Sequence, residues 1–334
     1  MLKSPSVFIV SSGRSGTTLL VSILNAAEQI YIPYESDFIA RAYPYFGDKN
    51  NIDENDYKRI VKFFQLTSKE QGWGLSSDYL LSFLQEHRPK TFAEINSSLC
   101  AAFHKLEGTE NLLWGIKAPV LIASLEIILK TCPQAKIVHI VRDGRDIYLS
   151  YKKIHEKSPI KFGPKGIISS TLYWIDGLQR IQEFQREQGN KQIYELRYED
   201  LLCSPEYELK KLCNFLDIEC RSSMYENFYS LERNQKVAPQ NLRRSIHSKI
   251  QGNIDPKNAY KYLNMMSISK QLIFEAIAIP YLKKYDYKIK FSCLDNPIFA
   301  ILRFLLYFGA RKFNNWRYRR RDRLFYLKSE CIIK

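Results

Sequence analysis

Runs of strand-forming residues alternate with helical spacing along most of the chain. Val7-Phe8-Ile9-Val10 predicts a buried strand, Ser11 to Gly16 a glycine-bearing turn, and Leu19, Leu20, Ile23 and Leu24 a helix. A mixed aromatic and polar stretch follows, with helical pieces around Asp56 to Leu66 and Thr91 to Leu106. Further strands are predicted at Leu112 to Ile116, Ala135 to Val141 and Gln192 to Leu196. Helices are predicted from Pro119 through Leu129, from Asp143 to His155, from Ile167 to Gln188, and from Ser204-Pro205-Glu206 to Leu216. Strands alternating with helices imply an α/β fold: a central parallel sheet flanked by helices, with right-handed crossovers. From Ser222 to Asn264 the pattern fades into polar and basic residues. Pro297 to Ala310 is apolar around Arg303 and too short to span a bilayer.

Composition narrows the class. The 334 residues are 45% hydrophobic and 25% charged, a globular balance that excludes disordered and low-complexity chains. Fifty Lys and Arg against 35 Asp and Glu give a formal charge of +15, which favours an anionic ligand. Seven of the basic residues fall between Arg311 and Arg323. The seven cysteines are scattered without metal-ligand spacing, so no metal is expected and a reducing, cytoplasmic setting is. The first strand starts too early for a secretory signal ahead of it.

The turn after the first strand carries the chemistry. In Ser11 to Leu20, SSGRSGTTLL, backbone N–H groups and a helix N-terminus converge to make an anion site. Gly16 allows close approach, and Ser15, Thr17 and Thr18 add hydroxyl donors. Against the nucleoside-triphosphate loop, Thr17 occupies the lysine slot and the cation, Arg14, lies inside the loop. That arrangement suits one terminal phosphate rather than a triphosphate with magnesium.

GRSGTT after a first strand resembles the 5′-phosphosulfate loop of the sulfotransferases that use 3′-phosphoadenosine 5′-phosphosulfate (PAPS). The resemblance is to the arginine-loop subgroup, which includes the tyrosylprotein and many bacterial enzymes. A strand ending in Arg142, with Ser150 eight residues on in a helix, resembles the family's 3′-phosphate element. Tyr194-Glu195-Leu196-Arg197-Tyr198-Glu199-Asp200-Leu201 resembles its Tyr-Glu-Asp-Leu signature, making Tyr198 a candidate for the adenine pocket. The segment Asn234 to Arg243 with Ser248-Lys249 resembles the subgroup's late closing loop, with Lys249 a further cation near the nucleotide. The resemblance implies a P-loop-like three-layer fold, PAPS as cofactor and an acceptor hydroxyl as substrate. It covers roughly residues 5–255.

The resemblance also places the chemistry. Arg14 would neutralise charge growing on the leaving phosphate, and Lys117, ending the next strand, would supply a second cation. The catalytic histidine of many cytosolic members is missing, since Pro119 stands in its place. The tyrosylprotein subgroup uses a glutamate soon after the first helix, which makes Glu35 the candidate base; between cations it would stay ionised and able to take a proton. That subgroup's extra arginine after the 3′-phosphate strand is Ile154 here. Arg145 and Asp146 read as structural, and His139 as a core histidine.

The expected organisation is a sulfotransferase-like domain over 1–255, with 36–110 as an acceptor-binding insertion, followed by a helical extension over 256–334 with a basic tail. Phe38, Tyr43, Tyr45, Phe46, Trp73 and Tyr79 are expected to shape the acceptor pocket or form a small core. The acceptor hydroxyl is expected on a glycan, a glycolipid or another compound; for 297–323 two readings stand, a packed helix with a solvated basic face and peripheral membrane contact, with nucleic acid disfavoured. Two alternatives stay open: a P-loop small-molecule kinase, and a non-catalytic basic membrane or nucleic-acid adaptor on a nucleotide-binding fold.

Overall fold

A computed structural model describes residues 2–67, 73–158, 161–230 and 253–331. The strands are β1 (Val7–Val10), β2 (Ile30–Tyr31), β3 (Leu113–Lys117), β4 (Lys136–Val141) and β5 (Ile193–Arg197). They form one parallel sheet in the order β2-β3-β1-β4-β5. β1 lies at its centre, with Val7 opposite both Gly115 and Lys136. All four residues of β1 are buried, as a strand covered on both faces requires.

The helices are α1 (Thr17–Asn25), α2 (Phe38–Phe46), α3 (Glu54–Thr67), α4 (Ser77–His87), α5 (Phe92–Glu107), α6 (Leu125–Thr131) and α7 (Gly144–Lys157). There follow α8 (Ile167–Gln188), α9 (Tyr198–Cys203), α10 (Pro205–Leu216), α11 (Ser223–Glu226), α12 (Tyr262–Met265), α13 (Ile268–Lys284) and α14 (Pro297–Cys331). Strand alternation sends Phe8 and Val10 into a core shared with α2 to α6. Val7 and Ile9 enter a second core with α1, α9 and α10. A third core joins α7, α8, α12 and α13. The expected α/β architecture is present.

Three local details differ from the expectations or sharpen them. The single helix expected from Pro119 to Leu129 is broken: a 3₁₀ turn (Pro119–Ala123) precedes α6, with Ser124 non-helical between them. The tight turn sets Ile122 beside Gly177 of α8, where an added Cβ would also collide with the Ser12 hydroxyl. At the start of α5, Thr91 and Glu94 form a reciprocal capping box. In the stretch 36–110, Phe38, Phe46 and Trp73 are buried, and Tyr43, Tyr45 and Tyr79 pack against them. The core is where these rings go, because burying apolar area outweighs leaving it on a wet pocket wall.

Arg145 confirms its structural reading. It lies fully buried between Asp143 and Glu275, at 2.7 Å and 2.8 Å, with its guanidinium over the Tyr262 ring. The pair to Glu275 ties α7 to α13, joining the late helices to the sheet. His139 is likewise buried and bonded to Glu195 at 3.0 Å.

Candidate active site

All five strands of the parallel sheet deliver their carboxyl ends to one side, where open α/β sheets bind ligands. A cleft of about 590 Å³ opens there, within the roughly 300–1,000 Å³ typical of ligand sites. Its lining includes Arg14 and Gly16 after β1, Glu35 after β2, Pro119 after β3, Arg142 after β4 and Tyr198 after β5.

The loop after β1 is bent by its own chemistry. Gly13, Arg14 and Gly16 all have positive φ, and the Gly13 N–H donates to Ser11 Oγ at 3.0 Å. Gly16 caps α1 with φ near 99° and offers no side chain to the first-turn N–H groups, which leaves them available to an anion. A Cβ at Gly16 would sit 2.5 Å from the Tyr198 ring, so glycine is required both by conformation and by contact. Thr17 and Thr18 line the cleft; the Ser15 hydroxyl instead turns back to the Gly13 carbonyl at 3.4 Å.

Two arginines face each other across the loop. Arg14 Nε donates to Ser150 Oγ at 3.1 Å, and the Arg14 carbonyl accepts from Arg142 at 3.2 Å. Burial, and then the nearby Arg142, depress the Arg14 guanidinium below its ordinary pKa, against an opposing pull from Tyr151. Glu35 adds to that opposing pull. Arg142 is held by Asp146 at 3.2 Å and the Asn258 carbonyl at 3.1 Å, and stacks over Tyr198 with 4.5 Å to the ring centroid. Its Nε is buried with no hydrogen-bond partner among the described residues. An orphaned guanidinium nitrogen at a cleft wall is a ready donor to a phosphate oxygen.

At the other edge, Lys117 ends β3 with its side chain fully buried and its ammonium 2.6 Å from Glu35 Oε1 and 3.4 Å from Thr18 Oγ1. Glu35 lines the cleft; Lys117 stands behind it. The buried lysine therefore orients the carboxylate instead of reaching the cleft itself. Of the residues singled out from the sequence, Arg14, Gly16, Thr17, Thr18, Glu35, Arg142 and Tyr198 converge on one cavity. Ser150 joins through Arg14, and Lys249 lies outside the described residues.

Several cleft residues were not foreseen. Tyr151 and Tyr173, from α7 and α8, hydrogen-bond to each other beside Gly13. Burial raises both phenols, Tyr151 to about 12, so both remain protonated donors at neutral pH. Asp37 and Arg41 of the α2 entry also line the cleft, as do Arg317, Tyr318 and Arg321 of α14. Tyr151 directly follows Ser150 and could have been suspected. The α14 residues carry no local signal, because only tertiary packing brings them there. Among the described residues no cluster of His, Cys, Asp or Glu could hold a metal ion.

Residues 5–222 match the model of the sulfotransferase family. An omega-hydroxy-beta-dihydromenaquinone-9 sulfotransferase, Stf3, of Mycobacterium tuberculosis is 26% identical over 259 residues, covering 66% of this chain. The alignment spans 65% of that relative's own length. Among solved structures, the sulfotransferase domain from the curacin biosynthetic pathway aligns with a TM-score of 0.59 at 16% identity, covering 86% of this chain and all of that domain. The sulfotransferase domain from the Synechococcus PCC 7002 olefin synthase aligns with a TM-score of 0.58 at 22% identity, covering 86% of this chain and 97% of that one. These two likenesses bear on the fold.

Proposed function

The chain belongs to the sulfotransferase family, and from that premise we propose that it moves the sulfuryl group of PAPS to an acceptor hydroxyl with Glu35 as base. One observation carries the reading: Arg14, Arg142 and Glu35, the last held from behind by Lys117, meet at a single cleft along the carboxyl ends of β1, β4 and β2. The cleft fits a ligand with phosphate at two ends. The cap-less N-terminus of α1 with Arg14 suits a 5′-phosphosulfate, and the orphaned Arg142 Nε suits a 3′-phosphate.

PAPS, when bound, supplies an activated sulfuryl group joined through oxygen to the 5′-phosphate. Glu35 accepts the proton of the acceptor hydroxyl as the new oxygen–sulfur bond forms. Arg14 neutralises the negative charge that collects on the phosphate oxygen as the old sulfur–oxygen bond breaks. Lys117 holds the Glu35 carboxylate toward the acceptor, and Thr17 and Thr18 add donors at the loop. Arg142, with Ser150 placed through Arg14, fixes the nucleotide's far end. Tyr198, enclosed between Gly16 and Arg142, forms the base-side wall.

The acceptor in this reading is a glycan, a glycolipid or another hydroxyl-bearing amphiphile. An aligned relative is named an omega-hydroxy-beta-dihydromenaquinone-9 sulfotransferase, which agrees with a hydroxyl-bearing acceptor. We assign peripheral membrane contact to α14, whose outer face is apolar and then basic. No described helix is long and apolar enough to cross a membrane.

Differential scanning fluorimetry tests the cofactor. 3′-Phosphoadenosine 5′-phosphate (PAP) should raise Tm, whereas ATP with Mg²⁺ should not. Arg142→Ala should weaken PAP about ten-fold or more while leaving adenosine 5′-phosphate little changed. Stabilisation by ATP–Mg²⁺ alone would hand the cleft to a kinase.

A further inference from the structure

The C-terminal helix reaches into the catalytic cleft. Arg317, Tyr318 and Arg321 of α14 share its lining with Glu35 and Arg14. Their placement is built. Asp322 pairs with Arg41 at 3.4 Å, Arg41 with Asp37 at 2.6 Å, and Asp37 lies two residues beyond Glu35. These ion pairs tie α14 to the start of α2, just after the segment that carries the proposed base. On its other side Tyr318 lies near the Tyr173–Tyr151 pair, where burial again raises the phenol and keeps it a donor.

The charges at this end do not cancel. Arg41 is matched by Asp37 and Asp322, and Arg321 leans on the same Asp322 at 3.3 Å. Arg317 makes no ion pair or hydrogen bond among the described residues. It stands one helical turn before Arg321, so both guanidiniums can address one ligand group. The other anion-binding features, Arg14, Arg142 and the α1 N-terminus, belong to the nucleotide. Arg317 and Arg321 form a second cationic position in the same cleft as the proposed base.

We propose that Arg317 and Arg321 read a phosphate group on the acceptor, so that the substrate is a hydroxyl compound bearing a phosphomonoester or phosphodiester close to the sulfated position. The inference rests on the sulfuryl-transfer reading of the cleft and adds the acceptor's chemical class. Two guanidinium forks one turn apart suit the tetrahedral oxygens of a phosphate, and the Tyr318 hydroxyl can donate to the same group. The phosphate can be that of a free metabolite or of a lipid headgroup; both present the same chemistry to the cleft.

The test uses the full chain saturated with PAP, titrated by calorimetry with two matched pairs of probes. One pair is 4-hydroxyphenyl phosphate and hydroquinone; the other is short-chain phosphatidylinositol and short-chain diacylglycerol. At least one phosphate-bearing probe should bind about ten-fold tighter than its neutral match, and the pair that shows it identifies the soluble or the lipid source. Arg317→Gln with Arg321→Gln should erase that preference and leave PAP affinity within about two-fold. Arg317→Gln alone, at an exposed side chain without an ion pair, should weaken the preference without endangering the fold. Equal binding within both pairs overturns the proposal, as does a preference that survives the double substitution. A loss of PAP affinity of about ten-fold in that variant would assign the arginines to the nucleotide instead. Failure of the unaltered protein to bind PAP would overturn the sulfuryl-transfer reading itself, an outcome distinct from all of these.

Discussion

At the residue scale the cleft gathers two arginines around one loop, beside a lysine–glutamate pair. Lys117 and Glu35 satisfy each other at 2.6 Å, whereas Arg14 and Arg142 crowd together around the loop carbonyl. Burial, and then Arg142, lower the pKa of the Arg14 guanidinium, so an anion that binds beside Arg14 would stabilise its charged form. Glu35 has a different part, since it couples a cleft-facing carboxylate to a buried ammonium. Glu35→Gln keeps the shape and a hydrogen-bond acceptor for Lys117 but removes the proton acceptor. Turnover with PAPS should fall by roughly 10²- to 10⁴-fold while PAP affinity changes by less than about three-fold. Retained turnover in a coupled assay would show that the proton leaves by another route.

At the scale of elements, Glu199 in the first turn of α9 holds the end of β4 in place. Its carboxylate accepts from the Asp143 N–H and from the Tyr287 hydroxyl, both at 3.0 Å. Burial, then the neighbouring Asp143, raise its pKa from 4.5 to about 7. The folded protein therefore keeps a proton that the unfolded chain releases. Stability is lost as pH rises from about 4.5 to about 7, by up to about 3 kcal/mol for a shift of this size. Glu199→Gln carries no such penalty, so its Tm advantage over the unaltered protein should grow between pH 5 and pH 8, to about those limits. Parallel Tm curves across that range would remove Glu199 as their cause. Much of this scale was legible beforehand. Apolar runs bounded by polar turns marked every strand except the two-residue β2, which is too short to show a period. The strand ends in turn carried Arg14, Lys117 and Arg142. What stayed hidden was set by packing between distant segments. Nothing local says that Ser124 interrupts a helix, that Trp73 takes the core in place of the pocket wall, or that Lys117 stops behind Glu35.

At the scale of the whole molecule, α14 packs through a mixed inward side, with Leu306 and Tyr307 on the third core and Tyr326 stacked on Tyr45. Polar anchors join them: Arg303 donates to the Ala276 carbonyl at 2.8 Å, Tyr307 to the Ile277 carbonyl, and Arg311 pairs with Asp176 and, at 2.7 Å, with Glu183. The helix's outward stripe is apolar, with Ile298 77% and Ile301 71% exposed and Phe304, Leu305 and Phe308 also open. Farther along, exposed Lys312, Arg319, Arg320 and Arg323 surround Trp316. Water gives no reason to display such a face, whereas the boundary of an anionic bilayer rewards both halves: acyl chains for the first, headgroups for the second. Because the same helix carries Arg317 and Arg321 into the cleft, seating it on a membrane would bring the acceptor end of the site to lipid headgroups. The protein should float with vesicles containing phosphatidylserine and less with pure phosphatidylcholine, more strongly at low salt than at high. Replacing Ile298, Ile301 and Leu305 by Asp should abolish flotation. PAP binding should persist, because none of these side chains lines the cleft. Flotation unaffected by that triple change would move the contact to another surface. Absence of flotation in the unaltered protein would leave α14's outer face to a protein partner.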